Sequence, residues 1–289
     1  MGETFVYKEV DGCALKGVLH PSLDTQAPLL IYLHGGGLIW GTRNDMNKKQ
    51  IHRYNQAGFN VCSVEYRLAP ESKLPEIRDD INDLLSWIKT EAPSTLDFDR
   101  TRVGLIGSSA GGYLALLAGT FDTKPDAIVS FYGYGQVTGD WYRNPSPHFT
   151  SMPTVPEVLA KQLIQPTPLA SAPIERRYAI YLYCRQQGEW LDWIAGSDVL
   201  DLSQYAPIEL ADSQYPATLL IHGDKDEDVP YGESVAMKAK LESCGVTNEL
   251  MTITKGKHNF DANMEDPDAI RAIENTITFL QNQFSMNLN

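Results

Sequence analysis

Three things are scarce in this 289-residue chain: positive charge, cysteine and long apolar runs. Lysine and arginine number 24 against 37 aspartates and glutamates, a formal net charge of −13. A nucleic-acid binder needs a basic footprint to neutralise phosphates, and an anionic membrane surface makes the same demand, so neither is expected as a partner. The four cysteines, Cys13, Cys62, Cys184 and Cys244, are scattered and form no CxxC pair. That argues for free thiols in a reducing compartment and against a disulfide framework or a zinc site. The most apolar stretch, Leu105 to Gly119, is broken by Gly107, Ser108, Ser109 and Gly111, and falls short of the roughly 18 apolar residues of a membrane span. The opening Met-Gly-Glu-Thr-Phe-Val-Tyr-Lys holds no apolar segment of signal-peptide length, so a cytoplasmic location is expected.

What is present is an alternation of strand and helix patterns. Thr4–Val10 and Cys13–His20 read as strands joined through Asp11-Gly12, a hairpin signal. Ala27–Leu33 and Phe59–Tyr66 are unbroken apolar runs of the kind found in strands buried on both faces. Pro75 to Thr90 carries Ile77, Ile81, Leu84, Leu85 and Ile88 at helical spacing. A strand over Arg102–Gly107, a helix over Ser109–Phe121 and a strand over Ala127–Tyr132 follow. After a break the alternation resumes with a strand at Ala217–Ile221, a helix at Glu233–Cys244, a strand at Glu249–Thr254 and a closing helix at Asp268–Phe284. This order predicts an α/β fold with a mostly parallel central sheet and helices on both faces. The break, about 133–212, holds 8 of the 17 prolines where an even spread gives about 5, and three of the five tryptophans. It reads as an insertion over one end of a single domain spanning 1–289.

Gly107-Ser108-Ser109-Ala110-Gly111 fits G-x-S-x-G, and it sits where that motif must sit, between an apolar strand and an Ala/Leu-rich helix. A serine on such a tight turn is forced outward as a nucleophile, and glycine at the flanking positions avoids clashes. His34-Gly35-Gly36-Gly37 follows another apolar strand. Its glycines allow backbone N–H groups to face developing negative charge, so Gly36 and Gly37, with the N–H of Ala110, are the expected oxyanion hole. A phosphate-cradling loop is not expected, because Gly37 is followed by Leu38-Ile39-Trp40 where a Walker loop needs Gly-Lys-Ser/Thr.

A serine nucleophile needs a base and an orienting acid, which in this architecture follow it in the order acid, then histidine. Of the six histidines only His222 and His258 lie beyond the insertion, and His222 ends an apolar strand. With the acid just after that strand, His258 is the expected base. The acid is left open by spacing alone, since Asp224, Asp226, Glu227 and Asp228 crowd one loop.

Together, His34-Gly35-Gly36-Gly37, Tyr66-Arg67-Leu68-Ala69-Pro70-Glu71 and Gly107-Ser108-Ser109-Ala110-Gly111 resemble the hormone-sensitive-lipase-like branch of the α/β hydrolases, over about residues 28 to 260. The resemblance implies an α/β-hydrolase fold and a serine carboxylesterase with neither cofactor nor metal, acting on a small or medium ester with an apolar acyl or alcohol part. It places the acid at Asp226, by the H-G-x-x-D-x-x-V-P pattern over His222–Pro230, and agrees on His258. The Tyr-Arg-Leu-Ala-Pro-Glu run is structural in that branch. Ser108 departs from the usual aspartate of the elbow, and Gly-Lys-His-Asn-Phe from the usual Gly-His-Gly-Phe. The segment Tyr181 to Trp190 is similar to a fungal subgroup, some of whose members are encoded with secondary-metabolite pathways. Trp40, Tyr113 and the Trp and Tyr residues of the insertion are candidates to line the pocket. The same site also suits an acyltransferase, a dehydratase or an aryl formamidase. A ligand-binding protein on a hydrolase scaffold is a further reading, but such proteins lose the histidine. The expected assembly is a monomer or homodimer.

Overall fold

The computed structural model describes residues 2–24, 26–92, 96–196 and 201–286. The chain opens with β1 (Glu3–Val10) and β2 (Cys13–His20), paired antiparallel. Asp11 and Gly12 have φ of 51° and 74°, the left-handed pair that a type I′ hairpin turn requires. Next come β3 (Pro28–Leu33), α1 (Lys48–Gln56), β4 (Asn60–Val64), α2 (Leu74–Thr90), β5 (Asp99–Ser108), α3 (Ala110–Ala118) and β6 (Ala127–Phe131). Among the described residues eight strands lie in the order β1-β2-β4-β3-β5-β6-β7-β8, with β7 at Ala217–Gly223 and β8 at Asn248–Ile253. From β4 to β8 every pairing is parallel.

Strand residues alternate between two cores. Leu29, Ile31 and Leu33 join one apolar cluster with residues of α2 and α3, whereas Leu30 and Tyr32 join another with Tyr54 of α1 and Ile273 and Leu280 near the C-terminus. The period of two explains why these strands read as unbroken apolar runs, since both faces are covered. The chain leaves β3 toward α1 on one face and leaves β5 toward α3 on the other. These two strands are neighbours, so their C-terminal ends flank the point where crossovers diverge and a crevice opens. The glycine loop and the serine elbow stand on either side of it.

Between β6 and β7 the chain leaves the sheet and forms α4 (Asp140–Arg143), α5 (Pro147–Thr150), α6 (Glu157–Gln162), α7 (Ile174–Gln187), α8 (Trp190–Ala195) and α9 (Pro207–Leu210). α7 buries Arg177, Arg185 and Gln186 along with its apolar residues, so its sequence shows no clean apolar face. Arg177 is tied to Glu71 by hydrogen bonds of 2.7 and 2.6 Å and donates to the carbonyls of Ile39 (2.7 Å) and Ala69 (2.6 Å). α10 (Gly232–Ser243) and α11 (Pro267–Gln283) complete the fold. The helix α1 has no counterpart in the sequence reading. It buries only Gln50 and Tyr54, and its start is fixed by Asn47, whose side chain caps Lys49 N at 2.9 Å. Among the described residues no helix is long and apolar enough to cross a membrane.

The Tyr-Arg-Leu-Ala-Pro-Glu run binds elements together. Asp80 of α2 is fully buried and accepts from Arg67 N (3.0 Å), Nε (2.9 Å) and Nη2 (2.9 Å) and from Lys8 Nζ (2.8 Å). Removing one member of a buried ion pair strands the other, at a cost of about 3–5 kcal/mol. Asp80→Ala is therefore expected to lower stability by that amount in urea unfolding; a change below 1 kcal/mol would contradict this account.

Candidate active site

The elbow is built by close packing. The α3 helix starts so near the end of β3 that a Cβ on Gly111 would lie 2.0 Å from the Leu33 carbonyl oxygen. Ser109 bridges strand and helix with φ 56° and ψ −118°, a region that costs a non-glycine residue about 1–3 kcal/mol. Its N–H is held by the Phe131 carbonyl at 2.9 Å, and its carbonyl by Tyr113 N at 2.9 Å. The side chain has nowhere to go but out of the turn, into the crevice.

The glycine loop is pinned through its carbonyls. His34 Nδ1 donates to the Gly35 carbonyl (2.8 Å), and the N–H groups of Ile39 (2.9 Å) and Trp40 (3.1 Å) donate to that of Gly36. In a trans peptide the next N–H points the opposite way. The N–H groups of Gly36 and Gly37 are thus turned from these partners, and Ala110 N–H opens the first turn of α3. Among the described residues none of the three N–H groups has a protein acceptor. His34 is fully buried with its ring stacked on Tyr66 at 4.3 Å, and burial lowers its proton affinity, so it is a neutral prop of the loop.

Loops at the C-terminal ends of β7 and β8 bring the remaining residues. His258 Nε2 lies 3.0 Å from Ser109 Oγ, and His258 Nδ1 lies 2.7 Å from Asp226 Oδ2. A carboxylate can only accept, so Nδ1 carries the proton and neutral Nε2 is free to accept from the serine. Asp226 is the one residue of its acidic loop that points fully inward. Its Oδ1 accepts from the N–H groups of Asp228 and Val229, both at 2.9 Å, and its Oδ2 also meets His222 Nε2 at 3.2 Å. Burial penalises its charge, but hydrogen bonds from His222 and His258 outweigh that and hold its carboxyl well below the usual range. Burial likewise works against charge on His258. The carboxylate of Asp228, then the hydrogen bond and charge of Asp226, and the charge of Asp261 reverse the sign and raise its proton affinity above that of ordinary imidazole.

Ser109 and His258 open into a cavity of about 520 Å³. Trp40, Phe149, Ile174, Tyr178 and Tyr181 form an apolar wall, much of it from the β6–β7 segment, whereas Tyr32, Gln50, Ser108, Tyr132 and Asp261 form a polar wall. Trp40 thus lies where the sequence reading puts it. Tyr113 does not: it is fully buried under α3, stacked on Tyr134 at 4.7 Å, with its hydroxyl on the Tyr205 carbonyl at 2.8 Å. The helix is covered all round, so a residue one turn beyond the serine faces core and not cavity. Trp190 is also fully buried, and its Nε1 donates to the Gly37 carbonyl at 3.0 Å.

Sequence reasoning holds Asp228 only as one of four candidate acids and gives Arg185 no role. Asp228 Oδ1 accepts from Tyr181 OH (2.6 Å) and Arg185 Nη1 (2.5 Å), while Oδ2 stands 3.8 Å from His258 Nε2. Nothing in local spacing separates it from its acidic neighbours, because its donors Tyr181 and Arg185 lie more than 40 residues away.

A family model described as BD-FAE matches residues 18–241. Among curated proteins, the non-reducing polyketide synthase adrD of Penicillium roqueforti is 27% identical over 96% of this chain and 14% of its own length. The 5-methylorsellinic acid synthase of Aspergillus terreus is 27% identical over 92% of this chain and 12% of its own. The chain therefore spans only a small part of these relatives. Among solved structures, a protein of unknown function from Staphylococcus aureus subsp. aureus Mu50 is 25% identical with TM-score 0.81, covering 97% of this chain and 98% of that one. An alpha/beta hydrolase superfamily protein from Enterococcus faecalis has TM-score 0.80 at 23% identity, over 98% and 99%. Propionate-bound esterase 2 of Thermogutta terrifontis has TM-score 0.70 at 16% identity, over 100% and 96%. The last two show the fold, and the α/β-hydrolase fold is what the sheet order displays.

The strain at Ser109 is measurable. Glycine adopts this backbone region freely but loses more chain entropy on folding, so Ser109→Gly is expected to raise stability by roughly 0.5–2 kcal/mol. An unchanged or lower urea midpoint would mean that the turn stores no strain.

Proposed function

Because the chain belongs to the BD-FAE family and has the α/β-hydrolase fold, we propose that it is a serine hydrolase that cleaves small carboxylic esters through Ser109, His258 and Asp226. The observation that carries this reading is the unbroken chain from Ser109 Oγ to His258 Nε2 at 3.0 Å and from His258 Nδ1 to Asp226 at 2.7 Å, opening into the cavity. Ser109 attacks the ester carbonyl while His258 takes its proton, and Asp226 stabilises the imidazolium that forms. The N–H groups of Gly36, Gly37 and Ala110 hold the oxyanion, each such donor contributing about 10²–10³ in rate. His258 then protonates the leaving alcohol, the acyl group remains on Ser109, and a water activated by His258 releases the acid. The segment 133–212 acts in this scheme as a cap: through Phe149, Tyr178 and Tyr181 it supplies the apolar wall against which the substrate rests.

A second reading, acyl transfer to an acceptor other than water, draws support from the curated relatives, whose names are those of polyketide synthases. The two readings share every step up to the acyl-enzyme. Adding a thiol or alcohol to the p-nitrophenyl acetate reaction separates them: transfer gives an acetylated acceptor at the expense of acetate, hydrolysis gives acetate alone.

Ser109→Ala is expected to cut hydrolysis of p-nitrophenyl acetate by about 10⁴-fold or more while leaving the far-UV circular dichroism unchanged. A variant as fast as the parent would end this reading. A base must be neutral to accept the serine proton, and the surroundings of His258 raise its affinity for protons. The acid limb of kcat/KM is accordingly expected at a midpoint above the 6.5 of ordinary imidazole, with activity lost as pH falls through it.

A further inference from the structure

The segment Tyr181 to Trp190 stands apart in the sequence, and the catalytic scheme leaves most of it without a task. In the structure its polar side chains reach the two halves of the site. Trp190 holds the Gly37 carbonyl, and a Cβ on Gly37 would lie 2.4 Å from the Tyr181 ring. Arg185 is 2% exposed and reaches Asp228 twice, from Nη1 to Oδ1 at 2.5 Å and from Nη2 to the main-chain carbonyl at 3.1 Å. Its guanidinium is enclosed by the rings of Trp141, Tyr142, Phe149 and Tyr181, with centroids 4.8 to 5.5 Å away. A guanidinium so enclosed is far from water and pairs strongly with the one carboxylate it touches.

That carboxylate is shared. Both hydrogen bonds to its side chain fall on Oδ1, and Oδ2 is directed at His258 Nε2. Nε2 is the nitrogen that must take up and release the proton, so a charge 3.8 Å from it acts on the acid-base step directly. We propose that Arg185 and Asp228 are positioning residues whose ion pair sets the charge felt at His258 Nε2, which makes helix α7 of the cap part of the acid-base machinery. This inference rests on the reading of Ser109 as nucleophile and His258 as base.

The other groups around His258 are accounted for. Asp226 holds Nδ1 and is itself held by His222. Glu227 lies between Lys257 and His148, 3.6 Å from each. From the side of β6, the Tyr132 ring packs 4.6 Å from the imidazole and its hydroxyl donates to Asp261 at 2.5 Å. None of these touches Arg185; besides Asp228 its guanidinium donates to the Tyr181 hydroxyl (2.7 Å), which itself donates to Asp228, so the charge of Arg185 acts on His258 by way of Asp228.

Two variants that break the same ion pair then have opposite effects. Asp228→Asn removes a negative charge beside the imidazolium, which loses stability, and the acid limb moves to lower pH by about one unit. Arg185→Gln removes the cation that shields Asp228, the imidazolium gains stability, and the limb moves to higher pH. Arg185→Lys keeps the charge and leaves the limb near that of the parent. A role confined to packing predicts the same direction for both neutralising variants, or a loss of rate at every pH without a shift. The test follows the second-order rate of Ser109 phosphonylation by a neutral alkyl fluorophosphonate from pH 5 to 9, read by mass spectrometry. Should Arg185→Gln fail to fold, the downward shift of Asp228→Asn with an unmoved Arg185→Lys carries the proposal. Limbs that move together, or not at all, overturn it while leaving the hydrolase reading intact. A parent protein that takes up no phosphonate at Ser109 overturns the hydrolase reading itself.

Discussion

The approach of α3 to the end of β3 is the constraint on which the site depends. With no side chain on Gly111, the helix begins almost against the Leu33 carbonyl, and Ser109 is left to make the whole change of direction in one residue. The unfavourable φ of 56° follows from that packing. So does the exposure of Oγ at the crevice and the placement of Ala110 N–H beside the glycine loop that continues from β3. The remaining residues are carried in by strands whose order is fixed by the same sheet. β7 delivers Asp226 and β8 delivers His258, each from the loop just past its C-terminal end.

Much of this was legible in the sequence, and the physical reason is that the core elements carry periodic signals. Strands covered on both faces read as apolar runs, α2 shows its buried stripe, and the Asp11-Gly12 turn announces the hairpin. Ser109 and His258 could be named because a strand, a tight turn and a fixed chain order leave few alternatives. Asp226 could not be separated from Asp224, Glu227 and Asp228 by local spacing. What distinguishes it is four donors converging on one carboxylate, two of them histidines on different strands' ends.

The parts that were not legible share a different cause. α1 is polar apart from a few residues and is defined mainly by its cap. α7 buries two arginines and a glutamine, so the alternation that marks a surface helix is absent. Tyr113 was misplaced because a helix covered on all sides gives no hint of which direction faces the cavity. For α7 and α8 the deciding contacts are with residues distant in sequence: Glu71 for Arg177, Asp228 for Arg185, Gly37 for Trp190. Periodicity reports which side of an element is dry, and it carries no information about such partners.

Arg177 and Arg185 are eight residues apart on α7, about 12 Å along its axis, and each is fastened to a carboxylate on a different loop of the hydrolase core. A helix anchored at both ends is not a module. It cannot be exchanged for that of another protein unless Glu71 and Asp228 travel with it, nor swing away as one piece without exposing two buried guanidinium groups. Divergence in the size and shape of what enters the cavity has more freedom elsewhere, in the short helices and proline-bearing turns between α4 and α7, which contribute neither carboxylate of these two ion pairs.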